Sequence, residues 1–209
     1  MKIERRPRVS QRETYGVNGY MLALLRLAMK GIVFREFIDM VEATFGEDVG
    51  DDIIESSDLP SGGSYTAVGT YSHTELVTLV VALSEKINVP VPVLVHAFGK
   101  YLFGRFHELF PVFFTDHETA FSFLCSIHDV VHVEVLKLYP DAGLPDFKAE
   151  LSDDGNTLYF EYHSHRHFSD LAHGLMDGAF EHWNETVDIE TEDRSTDEKQ
   201  VIMFICTKQ

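Results

Sequence analysis

The hydrophobic period of this chain changes at Pro145, and that change restricts its fold more than any other feature of the sequence. Before Pro145, apolar residues recur every three to four positions, which predicts helices at residues 30–45, 51–56, 74–87, 91–106 and 121–139. After it, one further helix is predicted at residues 168–183, and a period of two predicts strands at residues 147–151, 158–162, 187–190 and 201–206. The sequence therefore predicts an α+β protein, with a helical N-terminal subdomain and a C-terminal antiparallel sheet that carries helices.

The composition indicates a globular protein and excludes several classes of function. Of 209 residues, 44% are hydrophobic, and 16 are Phe, enough to form a large core or to line an apolar cavity. The net charge of −17 argues against nucleic acid and anionic membranes as partners, and fits a cytoplasmic protein. Two cysteines, Cys125 and Cys206, exclude a disulfide framework and a cysteine-rich zinc site. No apolar run is long enough to span a bilayer.

Residues 1–28 differ from the rest of the chain in their charge. They hold six basic and two acidic side chains, although the whole chain is strongly acidic. The apolar stretch within residues 19–28 has the composition of a signal-peptide core, but Arg26 interrupts it and no small-residue cleavage site follows. We therefore predict an N-terminal extension at residues 1–28, or an upstream start codon in place of Met29, and one domain at residues 29–209.

The helix predicted at residues 121–139 carries two histidines, four residues apart and thus on the same side. Its apolar stripe comprises Phe121, Leu124, Cys125, His128, Val131, His132, Val135, Leu136 and Tyr139. An unpaired buried polar group costs about 1–3 kcal/mol, so His128 and His132 require partners. Core histidines with ordinary hydrogen bonds and metal ligands both fit this pattern. A zinc hydrolase would use the pair with Asp129 or His107 as a third ligand, although no Glu lies between them as in a metalloprotease helix.

The strand predicted at residues 158–162 continues into the pattern Tyr-x-Ser-x-Arg, formed by Tyr162, Ser164 and Arg166. Alternation along a strand places these three side chains on one face. Three donors on one face, one of them a guanidinium, suit a carboxylate or a phosphate. The other interpretation is an exposed polar face, because antiparallel sheets often have one solvated side.

Together these segments resemble the haem-nitric oxide/oxygen binding (H-NOX) family, which includes the haem domain of soluble guanylate cyclases. The resemblance runs from Met29 to about Cys206. The stretches that carry it are Tyr65–Glu75 (YTAVGTYSHTE), Phe98–Phe103, Ile127–His132 followed by Lys137–Pro140 and Leu144–Pro145, and the Tyr-x-Ser-x-Arg pattern. The last two, at the family's spacing, are the most specific.

The resemblance implies a site for haem b between the helical and the sheet subdomains. In this family's pattern His132 is the proximal ligand of the iron, and His128 is not a ligand. Tyr162, Ser164 and Arg166 hold the haem propionates, and Pro145 presses on the porphyrin and distorts it. The apolar walls of the pocket are expected to be Val33, Phe37, Phe98 and Leu102.

The helix predicted at residues 168–183 bears on which gas the haem binds. Oxygen-binding members of the family carry a tyrosine where this chain has Leu171, and that hydroxyl donates a hydrogen bond to bound oxygen. Phe168, Ala172 and Leu175 offer no hydroxyl either, and His173 is roughly 200° round the helix from Leu171, so we expect it to point away. Nitric oxide binds ferrous haem without a donor, so the resemblance implies a nitric oxide sensor that discriminates against oxygen.

The family also implies how the signal leaves the domain. Nitric oxide weakens and breaks the bond between the iron and His132, and the helix that carries His132 then moves. The partner that responds is expected to be a separate histidine kinase or cyclic-di-GMP enzyme, and the domain itself is not an enzyme. Two other readings stay open from the residues alone: the zinc hydrolase described above, and a haem-binding module without a gas response.

Overall fold

The computed structural model describes residues 28–209, so the predicted extension lies outside the described residues apart from Ala28. The helices are α1 (Gly31–Phe45), α2 (Glu47–Glu55), α3 (His73–Ile87), α4 (Val91–Leu109), α5 (Ala120–Ser126), α6 (His132–Leu138) and α7 (Ser169–His182). The strands are β1 (Ala28–Lys30), β2 (Thr70–Ser72), β3 (Asp146–Leu151), β4 (Thr157–Ser164), β5 (Val187–Asp193) and β6 (Gln200–Lys208). The α+β prediction, with helices first and an antiparallel sheet after, is confirmed.

The first four helices pack around an N-terminal core. The N-cap of helix α3 is Ser72, whose hydroxyl accepts a hydrogen bond from the N–H of Thr74, and the C-cap is Asn88 in the left-handed conformation. The fully buried members of this core include Phe34, Phe37, Ile53, Leu76, Leu79, Leu83, Phe98 and Leu102. Within residues 28–209 no individual helix is long and apolar enough to cross a membrane; α3 and α4, bent by 114°, meet that test only as a pair, by length and composition.

The C-terminal sheet has the strand order β3-β4-β6-β5, and every neighbouring pair is antiparallel. Its inner face carries the second core, built by alternate residues of the two central strands: Leu158, Phe160 and Tyr162 of β4 opposite Cys206, Phe204 and Ile202 of β6. On the edge strand β3, Phe147 packs against this core, whereas Ala149 and Leu151 are exposed. Strand β5 extends to Asp193, three residues beyond the predicted strand at residues 187–190.

A second, two-stranded sheet of β1 and β2 was not predicted, because three-residue strands have too little pattern to detect. It lies beside the turn that follows α6. The Lys30 ammonium donates to Thr70 (2.7 Å) and to Asp141 (3.0 Å), and the Thr70 hydroxyl donates to Asp141 (2.6 Å). These bonds lower the pKa of Asp141 and connect the N-terminal subdomain to the end of α6.

The helix predicted at residues 121–139 is interrupted by a π-helical turn, Ile127–Val131, where the N–H of His132 bonds to the carbonyl of Ile127. Such a turn inserts one residue, and one residue rotates a helix face by about 100°. The predicted stripe is wrong in part. Cys125, His128 and Leu136 are exposed, and the side chains of this segment that line the cavity include Leu124, Ile127, Val131 and Val135.

Helices α4 and α7 touch through their backbones. A Cβ atom on Gly99 would lie 2.3 Å from the carbonyl oxygen of Leu171, and one on Gly174 would lie 2.0 Å from that of His96. A glycine in the middle of a helix often marks a close approach of another element, and at Gly99 that element is α7. Because α4 belongs to the N-terminal core and α7 covers the sheet, this contact joins the two subdomains.

Replacement of Gly174 by Ala should destabilise the fold, because two backbones would have to move apart. We expect Gly174→Ala to lower the free energy of unfolding by about 1–3 kcal/mol. The matched control is Gly104→Ala on α4, where a Cβ would meet nothing within 4 Å and helix propensity favours Ala by up to about 1 kcal/mol. Denaturant unfolding of both variants measures the difference; equal stability would contradict a tight contact at Gly174.

Candidate functional site

A cavity of about 290 Å³ lies between the N-terminal helices and the sheet. Most of its lining is apolar and comes from both cores: from the helical side Met29, Val33 and Leu102, and from the sheet side Phe103, Phe114, Phe123, Phe160 and Met176. The polar side chains in the lining are Lys30, His132, Tyr139, Tyr162 and Arg166. The shape and chemistry suit a largely apolar ligand with a few fixed polar contacts.

A second, more polar cleft of about 500 Å³ adjoins the cavity. The two share His132, Pro145 and Arg166 in their linings, and the cleft adds polar groups such as Ser164 and Lys199. A ligand at this boundary would place an apolar body in the cavity and a charged end in the cleft.

His132, the first residue of α6, faces both spaces. Its ring lies 5.5 Å from that of Phe147, and no residue within 28–209 forms a hydrogen bond with it. Burial, and next the proximity of His128, lowers the pKa of His132 to about 4. The imidazole is therefore neutral at pH 7, with a nitrogen lone pair available, which is the state that a metal requires of a histidine ligand.

His128 does not share this environment. It is exposed, lines the polar cleft and is absent from the cavity wall. In the described part of the chain neither His128 nor His132 belongs to a group of three close metal-binding side chains. The third ligand considered for a zinc hydrolase, His107, instead packs against His182, with ring centroids 4.3 Å apart. Of the two histidines that the sequence pattern placed on one apolar face, only His132 therefore lines the cavity.

The Tyr-x-Ser-x-Arg residues are buried, so the interpretation as an exposed strand face is wrong. The backbone N–H of Phe168 donates to the Tyr162 hydroxyl, and that of Arg166 donates to the Ser164 hydroxyl, each at 3.1 Å. Arg166 donates from Nη1 to the carbonyl of Ala28 (3.1 Å). Tyr162 reaches the cavity, Ser164 the cleft, and Arg166 both.

The Arg166 guanidinium is a buried cation that no anion of the described residues neutralises. Across residues 28–209 no carboxylate forms an ion pair with it, and burial lowers its pKa, although an arginine stays protonated. Burying a charge is costly unless it is paired. This part of the site therefore suits a ligand that brings a carboxylate or another anion.

Four of the predicted pocket residues line the cavity and two do not. Pro145, Val33, Leu102 and Leu171 are in its wall. Phe37 and Phe98 lie instead in the N-terminal core, where their rings pack edge to face with centroids 5.2 Å apart. Sequence reasoning missed wall residues from several segments: Lys30, Phe106, Phe114, Tyr139 and Leu144. The high Phe content signalled a cavity of this kind, but no local pattern shows which rings line it.

Helix α7 contributes only apolar side chains to the cavity: Leu171, Ala172, Leu175 and Met176. His173 points elsewhere, as expected. Its ring lies 4.9 Å from that of His96 on α4 and 5.6 Å from that of Phe204 on β6. No hydrogen-bond donor from α7 therefore faces the cavity.

Comparisons with known proteins identify the fold and the family. A family model described as haem-NO-binding matches residues 30–191. An unliganded Fe(II) H-NOX protein from K. algicida is 36% identical, with a TM-score of 0.80 over 87% of this chain and 97% of that one. An H-NOX protein from S. oneidensis in the Fe(II)NO ligation state is 29% identical, with a TM-score of 0.79 over 87% and 99%. A mutant of T. tengcongensis H-NOX, 22% identical with a TM-score of 0.78 over 87% and 98%, shows the fold alone.

The residues of the site fit a haem. The cavity accepts an apolar macrocycle, His132 offers a neutral imidazole to iron, and the unpaired Arg166 at the border of the cleft suits a propionate. This fit, the match over most of the chain and the shared fold agree with one another. The chain belongs to the haem-NO-binding, or H-NOX, family of non-catalytic sensor domains.

Proposed function

We propose that this protein senses nitric oxide at ferrous haem and signals to a separate effector by release of His132. The observation that carries the proposal is His132 itself: a neutral imidazole without a hydrogen-bond partner among the described residues, at the start of a loosely packed helix, facing an apolar cavity. When bound, the haem would supply a ferrous iron with one coordination position for His132 and one for the gas.

Each predicted contact would have a distinct role in holding the haem. His132 ligates the iron. Tyr162, Ser164 and Arg166 hold the propionates, and Arg166 is the strongest of the three because its buried charge gains a partner. Pro145 has a rigid ring and borders both the cavity and the cleft, so it would contact a macrocycle bound there and could distort it.

The choice of gas follows from α7. Oxygen bound to iron carries partial negative charge and is held only where a donor faces it in a dry pocket, whereas nitric oxide needs none. Leu171 and its neighbours on α7 supply no donor. The cavity therefore favours nitric oxide over oxygen.

The segment that would move is the π-helical turn together with α6. None of its residues is fully buried, and low burial accompanies low local stability. While His132 is bound to iron, α6 is held at its start. At its other end, Asp141 is held by Lys30 and Thr70 of the N-terminal subdomain. Release of His132 would free the start of α6, while its end would stay attached to the N-terminal subdomain through Asp141. Movement of α6 would therefore be transmitted to that subdomain.

The effector would recognise this altered surface. Helix α6 exposes the apolar side chains Val133, Leu136 and Leu138, which are 43%, 41% and 64% exposed. Its rearrangement would change what a partner contacts. A histidine kinase or a cyclic-di-GMP enzyme is proposed as that partner by analogy with the family. A cytoplasmic location stays a prediction from the acidic composition.

The test of the proximal ligand is the absorption spectrum of the ferrous protein before and after nitric oxide is added under argon. Wild type should convert from one five-coordinate spectrum to another, because the gas replaces His132 rather than adding to it. His132→Gly should retain haem poorly, or only with free imidazole present. The matched control is His128→Gln, one turn earlier and exposed, which should behave as wild type.

Two results would contradict this proposal in different ways. Haem binding unaffected by His132→Gly would show that another residue holds the iron. A six-coordinate spectrum with nitric oxide in wild type would show that His132 stays bound, which is the behaviour of a haem-binding module without a gas response.

Arg166→Gln should weaken haem retention, because the propionate loses its charged donor. A hydrogen bond to a charged group is worth about 1.5–3 kcal/mol, so we expect the rate of haem transfer to excess apomyoglobin to rise about tenfold to a hundredfold. Arg194→Gln removes an exposed arginine that pairs with Glu192 and serves as the control. Equal transfer rates in the two variants would exclude Arg166 as a propionate ligand.

Leu171→Tyr should convert the cavity into one that retains oxygen, because it brings a hydroxyl donor to the wall formed by α7. The ferrous wild type is expected to form no stable oxygen complex in air, and Leu171→Tyr to form one. Leu171→Phe adds a ring without a hydroxyl, so it should behave as wild type. A stable oxygen spectrum in the wild type itself would refute the proposed discrimination.

A further inference from the structure

A second cluster of metal-binding side chains lies away from the haem cavity, between α4 and α7. It comprises His96 of α4 with His173 and Asp177 of α7, and one ligand atom from each lies within 4.8 Å of the other two. His96 Nε2 is 2.9 Å from Asp177 Oδ2, and the two imidazole rings meet edge to face. We propose that these three residues bind a divalent transition metal ion of the zinc type. The proposal does not depend on the function assigned to the haem site.

The donor set is one that zinc uses. Two imidazoles and a carboxylate bind zinc at about 2.0–2.2 Å, and a tetrahedral ion at those distances separates its ligand atoms by about 3.3 Å. The observed separations, with an upper limit of 4.8 Å, are close enough that small side-chain rotations bring the three atoms to an ion. The side chains of His96 and Asp177 are 35% and 34% exposed, so an ion can enter from solvent and water can take the fourth position.

The cluster is held in place by the backbone rather than by flexible loops. His173 and Asp177 are four residues apart, hence on one face of α7. The backbone of α4 is fixed against the same face, because a Cβ on Gly174 would lie 2.0 Å from the carbonyl oxygen of His96. Ligands on two helices in direct contact need little reorganisation to bind an ion. Burial also lowers the pKa of His173, which favours the neutral imidazole that a metal requires.

A bound ion would link the two subdomains, since α4 packs in the N-terminal core and α7 covers the sheet. It would stabilise the arrangement in which the two helices touch. Leu171, in the wall of the haem cavity, is two residues from His173 on the same helix. A metal ion bound to the cluster would therefore restrain α7, the helix that contributes Leu171 to the cavity wall.

The same two helices provide a matched control. His107 of α4 and His182 of α7 form a second histidine pair, with ring centroids 4.3 Å apart. In the described part of the chain, no third metal-binding side chain completes that pair into a group. A variant at His107 therefore removes a histidine from the same helix interface without touching the proposed ligands.

The test is equilibrium dialysis of the haem-loaded protein, without an affinity tag, against zinc chloride alone after treatment with a chelator. Zinc and iron are then counted separately by elemental analysis. Wild type should bind one more zinc ion per chain than His96→Gln or Asp177→Asn. Each variant should lose affinity at that site by at least tenfold, since even loss of an outer-shell partner costs about 10–100-fold. His107→Gln should bind zinc as wild type does.

Thermal unfolding provides a second measurement on the same proteins. Zinc should raise the Tm of wild type and of His107→Gln but not that of Asp177→Asn, whose side chain keeps its size and loses only its charge. Zinc binding that is the same in all variants, that is lost in His107→Gln, or that is absent from wild type at 0.1 mM zinc, would overturn the proposal. The cluster would then be an ion pair of His96 and Asp177 beside a second imidazole.

Discussion

The structure depends on the close contact between α4 and α7. Glycines at the crossing let the two backbones touch, which side chains with a Cβ would prevent. One helix packs into the N-terminal core and the other covers the sheet, so the contact joins two hydrophobic cores that would otherwise be separate. Leu102 of α4 and Leu171 of α7 also form part of the cavity wall. Both helices that form this contact therefore also border the space for a cofactor.

The chemistry of the cavity comes from two groups, Arg166 and His132, whose charge or ring nitrogens are left unmatched by the other side chains of residues 28–209. Arg166 is a buried guanidinium with no carboxylate partner among residues 28–209, and His132 is a half-buried imidazole whose ring forms no hydrogen bond with them. Either would be costly in an ordinary core. Both costs fall when a ligand supplies an iron and an anion. The helix of His132 has no fully buried residue, whereas α4 and α7 are in backbone contact. This difference agrees with the proposal that α6 moves while α4 and α7 stay in place.

Much of this could be predicted from residues alone. The change of period at Pro145 gave the α+β class, because helices and strands bury apolar residues with different spacing. The spacing of His132, Pro145 and the Tyr-x-Ser-x-Arg residues indicated the family. The local pattern did not predict every feature. The predicted stripe did not include the π-helical turn at Ile127–Val131, and His128 and Cys125 are exposed. Phe37 and Phe98 pack against each other in the N-terminal core and are not in the cavity wall.

The sequence by itself determined the class of fold and the family. It also determined that the residues around Leu171 on α7 carry no hydroxyl, and that Tyr162, Ser164 and Arg166 supply polar side chains. Each of these follows from residue type and period. Only the tertiary structure decided which histidine lines the cavity, that no carboxylate of residues 28–209 pairs with Arg166, and that His96 meets His173 and Asp177 across two helices. The physical reason is that burial and pairing depend on distances between segments far apart in the chain, 77 residues between His96 and His173, and no local pattern records such distances.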